Sequence, residues 1–357
     1  MTRLLRALIA LSLVLVTAAA PAAPILADYR IVTGGTTGTY YAFGQNLANL
    51  VARPANIALE AVSSSGSVQN VRDMRYREKV KFALVQSDVY QAYVRLAAQG
   101  DKEAQDLIGP LRVVLPLYLE EIHVLVRADS PLHYVDELRG RKLYIGPDGS
   151  GAALTASTLY GLMFDGARPE RVDFPGATDA ASGYKQALNA LLDRDGRVDA
   201  VVFVAGQPVS QLVVDAELGR KYYRLLGVRA EEPAMREALK VYYPATILRD
   251  SYAWLGTDVQ TLAVKAYLIT YDYPQDFNRR AIAAFARSLC ENYATLRAQG
   301  HPKWQQVAWS PQQPALEPLK AGWQYYSVTE PILSGCSGGG NGNAACSSDR
   351  RLLGLCR

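Results

Sequence analysis

The chain has 357 residues, of which 49% are hydrophobic and 20% charged, and a formal net charge of +4. That length is enough for two domains of ordinary size, and the near-neutral balance gives no electrostatic footprint for nucleic acid. Four cysteines and three histidines offer no paired Cys-x-x-Cys spacing of the kind a zinc site uses.

The chain opens as a secretory signal, residues 1–27. Arg3 and Arg6 form a positive start, Ala7 to Val16 an apolar core, and small residues follow, with cleavage positions after Ala20, Ala23 or Ala27. A spanning anchor needs about 20 apolar residues, which this run does not reach. The mature protein is therefore expected to be exported, soluble and periplasmic.

Strand-like and helix-like segments then alternate. Tyr29–Thr33 reads as a strand that breaks into Gly34-Gly35-Thr36-Thr37-Gly38-Thr39-Tyr40-Tyr41 and then a helix to Val51. Such a turn leaves backbone N–H groups unpaired and aimed at one point, which suits a carboxylate or phosphate. The lysine of a nucleotide-binding P-loop is absent. Ile57–Val62 is a second strand, followed by Ser63 to Ser67 and a helix from Val68 to Tyr76. Lys81–Gln86 is a buried-looking strand, Val89 to Gln99 a helix, and Leu111–Leu119 and Glu121–Arg127 two strands. This alternation predicts an α/β fold.

The pattern restarts at Leu138–Ile145, with a Gly146–Gly151 loop and a helix from Ala152 to Met163. Tyr184 to Leu192 is a helix. Val198–Phe203 is a strand ending in Ala205-Gly206-Gln207-Pro208, and Tyr222–Leu226 is another strand. Two αβ blocks, each with a Gly/Ser loop after its first strand, predict a ligand cleft at facing strand ends. From Tyr242 the chain reads as mostly helical, with helices at Asp258–Ile269 and Phe277–Ala298, the second capped by Asp276. Cys290 reads as a small buried hydrophobe. Ser334–Asp349 is too poor in apolar side chains for a core and is expected to be disordered, or stapled by a bridge such as Cys336–Cys346; sequence cannot choose among the cysteine pairings.

The segments Thr33–Tyr41, Ser65-Gly66-Ser67-Val68-Gln69-Asn70, Val85-Gln86-Ser87-Asp88, Leu138-Arg139-Gly140-Arg141, Gly146–Gly151 and Gly322-Trp323-Gln324-Tyr325-Tyr326 occur in order over about residues 28–327. Together they resemble the TAXI-type solute-binding proteins of TRAP transporters. The chain departs from that family's pattern at Ile247–Tyr252, at Leu319–Trp323 and in its cysteine-rich tail. The resemblance implies a two-lobed periplasmic-binding-protein fold of type II-like form, its ligand cleft between lobes joined by a hinge. It implies lobe I at 28–126 and 240–330, lobe II at 127–239, and a tail at 331–357. It also implies capture of a small carboxylate or amino acid such as glutamate by a cofactor-free monomer, and delivery to a TRAP membrane permease. A binding protein of an ABC transporter or of a periplasmic sensor kinase would have similar lobes.

The expected ligand residues are Gly35, Thr36, Thr37, Gly38, Thr39, Tyr40 and Tyr41 in the first loop, Ser65, Gly66 and Ser67 in the second, and Gln86 and Ser87 at a strand end. Ser150, Gly151 and Gln207 face them from the other lobe. Capping explains Ser65 or Ser67 equally, and a plain turn explains Gln207-Pro208. Asn70 is expected to orient the second loop. Asp88 reads either as an amine partner or as a helix cap, and Glu121 as a ligand neighbour or a hinge bond. No lysine or arginine lies inside these loops. An enzyme is not expected: no histidine lies in a nucleophile or metal motif, and Gly335-Cys336-Ser337-Gly338-Gly339 lacks the strand-to-helix setting of a nucleophile elbow.

Overall fold

A computed structural model describes residues 26–336 apart from positions 178, 194, 320 and 321. The expected signal segment lies outside these residues up to position 25, and its last two residues, Leu26 and Ala27, are described. The Leu26 amide donates to the Asn56 carbonyl, and Ala27 is buried and paired with Ile57. Of the three cleavage positions, only those after Ala20 and Ala23 keep this pairing.

The first half runs β1 (Ala27–Val32), α1 (Thr39–Leu47), β2 (Ile57–Val62), α2 (Ser67–Tyr76), β3 (Val80–Gln86), α3 (Ser87–Ala98), α4 (Lys102–Ile108) and β4 (Leu111–Arg127). Next come β5 (Lys142–Tyr144), α5 (Gly151–Met163), β6 (Glu170–Arg171), α6 (Ala180–Leu192), β7 (Ala200–Ala205), α7 (Ala216–Tyr222) and β8 (Tyr223–Leu225). The chain closes with α8 (Ala238–Val241), β9 (Tyr243–Ile247), β10 (Val259–Tyr271), α9 (Asp276–Gln299) and α10 (Glu330–Ser334).

The strands form one sheet in the order β2-β1-β3-β10-β4-β7-β5-β6, with β8 on β4 and β9 on β10. The outer strands pair in parallel. The two long central strands, β4 and β10, run antiparallel to each other and to β3 and β7. Each central strand serves two separate cores. Leu115 and Leu117 of β4 pack with Phe43, Phe285 and Trp304, while Ile122, Val124 and Val126 pack with Leu159 and Met163. Likewise Ala266 and Leu268 of β10 face the first core, and Leu262 and Val264 the second. Helices cover both faces of each half. In the first, α1 and α9 lie opposite α2, α3 and α4; in the second, α5 and α8 lie opposite α6. The result is a two-lobed α/β fold of the periplasmic-binding-protein kind.

Several expectations change. Asp258–Ile269 is strand, not helix. Val259–Tyr271 is almost wholly buried, and a strand apolar on both faces shows no alternation that separates it from a helix. The segments read as two strands between Leu111 and Arg127 are one. The cores therefore change hands near Glu121 and Lys265, rather than at 126 and 240: Tyr242, Ile247, Tyr252 and Trp254 pack in the second lobe. Asp276 lies inside the first turn of α9 while Gln275 takes the cap position; its charge suits the helix N-terminus there.

The tail also begins later than 331. Leu333 and Cys336 are buried, and Cys336 forms a disulfide with Cys290 on α9 across a Cα–Cα distance of 5.9 Å. Cys290 is thus neither free nor merely a hydrophobe, and the Cys336–Cys346 bridge is excluded. The apolar faces of α9 and α10 bring the pair together. Cys346, Cys356 and Ser337 lie outside the described residues. Closing a loop between positions 46 apart restricts the unfolded chain, so replacing both cysteines by alanine is expected to cost about 2–4 kcal/mol. Urea unfolding of the double variant checks this; an unchanged midpoint would show that α9 and α10 hold together by packing alone.

Candidate ligand-binding cleft

A cavity of about 130 Å³ lies between the lobes. Its walls come from four loop-to-helix turns. Gly38, Thr39 and Tyr40 open α1, Gly66 and Ser67 open α2, Ser150, Gly151 and Ala152 open α5, and Ala180 and Ala181 open α6. Four helix starts thus reach the cavity wall; those of α1 and α2 carry no side-chain cap, while Ser150 caps α5 and the Asp179 carboxylate caps α6. Each helix start is equivalent to roughly half a positive charge.

Local sequence explains each turn. Gly66 sits before α2 at φ +125°, a conformation that glycine alone adopts readily. Its amide donates to Ser64 Oγ at 3.0 Å. Asn70 ties this loop down by donating to the carbonyls of Thr33 and Leu84 at 2.5 and 2.7 Å, as its expected orienting role requires. Ser67 does not cap its helix; its Oγ accepts the Gln86 amide at 3.1 Å. Ser150 does cap, accepting the Ala153 amide at 3.0 Å.

The lobes meet on both sides of the cavity. On one rim the Gln69 amide donates to the Gly149 carbonyl at 3.1 Å, and Thr155 donates to Asp88 at 2.7 Å. On the other, Ser210 Oγ donates to the Thr37 carbonyl at 3.0 Å, and Gln211 donates to Thr37 Oγ1 at 3.2 Å. The described structure is thus a closed clamshell. At its tightest point a Cβ on Gly151 would stand 1.7 Å from Gln86 Oε1, so any larger residue there displaces the Gln86 side chain or the lobe.

Among the described residues no lysine, arginine or histidine lines the cavity, and Glu120 is the one acid. Glu120 is 3% exposed, accepts the Tyr40 hydroxyl at 2.9 Å and is also hydrogen-bonded by Gln86. Burial pushes its carboxyl up to about 8, against the opposing pull of those two bonds. Burial likewise raises Asp88 to about 6. Gln86 Oε1 and Asp88 Oδ1 are buried without a hydrogen-bond partner among the described residues. Opposite the acid, Phe203 and Tyr184 stack at 4.4 Å and with Val204 and Val209 make an apolar wall.

Of the expected ligand residues, Gly35, Thr37, Gly38, Thr39, Tyr40, Ser65, Gly66, Ser67, Gln86, Ser150 and Gly151 line this cavity. Thr36 and Tyr41 lie outside it, in hollows at the cleft mouth. Ser87 turns away, accepting the Lys265 amide at 3.2 Å. Gln207 belongs to the hinge. Its side-chain amide donates to Glu121 at 3.0 Å and to the Thr246 carbonyl at 2.9 Å, while its oxygen accepts Leu248 N–H and Ser251 Oγ. Glu121 also accepts Lys303 Nζ at 2.6 Å, so of its two readings the hinge one stands. Asp88 bonds the other lobe's Thr155 and Tyr242. Glu120, Phe203, Tyr184 and the start of α6 were not among the expected residues. An acid pair inside the apolar run of β4 and an aromatic at the carboxyl end of β7 were the available signals.

His123 is fully buried, with Nδ1 2.9 Å from the Glu121 carbonyl and Nε2 2.9 Å from the Tyr252 hydroxyl. Burial lowers it to about 4, so it is neutral and structural. Among the described residues no cluster of His, Cys, Asp or Glu could hold a metal ion, and no helix is long and apolar enough to cross a membrane.

This fold and cleft define a solute-binding-protein architecture. The NMT1-like family profile matches residues 31–322, and the chain belongs to that family. Among solved structures, the periplasmic binding protein BugD aligns at 13% identity over 79% of this chain and 85% of its own, with a TM-score of 0.46. A Candida albicans protein described as having the generic periplasmic binding protein fold aligns at 10% identity over 76% and 72%, TM-score 0.42. A TctC solute-binding protein from Polaromonas aligns at 18% identity over 76% and 88%, TM-score 0.39.

Two outcomes follow from this geometry. Gly151→Ala is expected to prop the lobes apart and weaken ligand binding at least about tenfold, with little loss of stability because alanine is the better helix former. Calorimetry and small-angle scattering check this, and an unchanged closed radius with full affinity would sink it. For Glu120, a folded carboxyl at about 8 against an ordinary 4.5 means that the folded state keeps a proton the unfolded state has lost. Stability is therefore greatest below 4.5 and falls as pH rises toward 8, by up to about 1.4 kcal/mol per pH unit. Glu120→Gln, which keeps an acceptor for Tyr40, is expected to flatten that slope and raise the melting temperature at pH 7.5; equal slopes in both proteins would show that Glu120 is ionised when folded.

Proposed function

We propose that this protein is an extracytoplasmic solute-binding protein that closes its lobes on a small organic anion or amino acid and delivers it to a membrane transporter. The observation that carries this reading is the meeting of four helix N-termini, two from each lobe, around one cavity in the cleft. Amides and hydroxyls held by rigid helices bind a carboxylate reversibly, without the desolvation cost of a buried arginine or lysine. The cavity lies where hinge closure would sequester a ligand. Membership of the NMT1-like family and the two-lobed fold accord with binding rather than turnover.

The sequence motifs favour a TRAP transporter of the TAXI type as the destination, with the protein acting as a periplasmic monomer and the ligand drawn from the carboxylates and amino acids that include glutamate. A thermal-shift screen of carboxylates and amino acids on ligand-stripped protein tests the binding step, since a ligand that binds only the folded state raises stability by mass action. Upward shifts for organic anions are expected. A response confined to sugars or aromatic cations would overturn the assignment. Uptake that requires ATP instead of an ion gradient would move the protein to the ABC-transporter reading.

A further inference from the structure

The cavity's polarity is one-sided, and this bears on which anions it takes. Its positive character comes only from helix starts, which are fractional charges fixed in position. The remaining surface divides into an acceptor floor and an apolar wall. On the floor, Glu120 is buried beneath Tyr40, and Gln86, itself 3% exposed, presents an oxygen that has no partner among the described residues. On the wall, Phe203 is backed by the stacked Tyr184 ring and flanked by Val204 and Ala181.

We infer that the cleft selects a compact solute with a single carboxylate and rejects a second one, with Glu120 and the Phe203 wall as the specificity-determining surfaces. This rests on the solute-binding reading above and narrows its ligand class. One carboxylate is satisfied at the converging helix starts. A second would meet, beyond neutral hydroxyls such as Ser65, the buried Glu120, the unpartnered Gln86 oxygen and the apolar wall, and no lysine, arginine or histidine stands among the described lining residues to pair with it. An anion buried without a counter-charge or donors is strongly disfavoured. The ligand's far end is instead apolar, or carries an N–H or O–H that donates to Gln86 Oε1.

The space sets a second limit. A cavity of about 130 Å³ favours compact ligands while the lobes stay closed. Exclusion by size and exclusion by charge make different predictions for ligands of equal shape, and matched pairs separate them.

The test is calorimetric titration of the full mature protein, stripped of ligand by unfolding and refolding with its disulfide intact. The pairs are glutamine against glutamate and valerate against glutarate. The expected result is binding of the monocarboxylate member of at least one pair, with its dicarboxylate partner about a hundredfold weaker, a difference of about 2.7 kcal/mol. A dicarboxylate within threefold of its partner would overturn this inference and leave the solute-binding reading intact. Silence from all four, and from the wider anion screen, would overturn both. Ala181→Lys supplies the missing cation on the wall and is expected to narrow the gap at least tenfold. An unchanged gap in a folded variant would count against the wall as the selector, and the wild-type pairs decide the charge question even if that variant does not fold.

Discussion

Everything in this molecule depends on two strands that belong to both lobes. β4 and β10 pass from one core to the other side by side, and at the crossing they carry polar groups where every neighbouring position is apolar. Glu121 of β4 accepts Lys303 from the first lobe's side and Gln207 from the second. Lys303 is 1% exposed and also donates to the carbonyl of Leu119 and to Gln306. A buried ion pair adds little net stability over apolar packing, but removing one partner strands the other charge. Its effect here is to fix where the two cores part and how the ends of β4 and β7 approach.

That fixed crossing places the strand ends so that βα turns from both lobes face one another. The turns need little else: a glycine or a capping serine at the entry, a helix behind it, and a strand in front. Four of them bring helix starts to the wall of one cavity. Side chains then differentiate it. Glu120, next to the hub residue Glu121, points the opposite way because successive residues in a strand alternate in direction. One acid of the pair therefore joins the hinge and the other lines the cavity. Closure brings Gly151 against Gln86 and Thr37 against Ser210 and Gln211, so the cavity exists only when the lobes meet.

The α/β alternation, the paired glycine loops and the family resemblance were legible because each is local. Gly34–Tyr41, Ser65–Ser67 and Ser150–Gly151 announce strand-to-helix turns by composition alone, and eleven of the fifteen expected ligand residues line the cavity. Ser87 and Gln207 did not, because a polar residue at a strand end satisfies a distant backbone group as readily as a ligand. The strand at Val259–Tyr271 was misread because burial on both faces erases the alternation that marks a strand. The pairing of Cys290 with Cys336 was hidden because it depends on how α10 folds back on α9.

The amino-acid sequence by itself determined the kind of fold, three of the four loop-to-helix turns and the lack of basic groups within those three, since these follow from short-range backbone preference and composition. Only the tertiary structure decided which turns face each other, which acid of Glu120 and Glu121 enters the cavity, and which aromatic forms its wall. Those outcomes depend on strand register and on the crossing of β4 and β10, which bring together residues far apart in the chain.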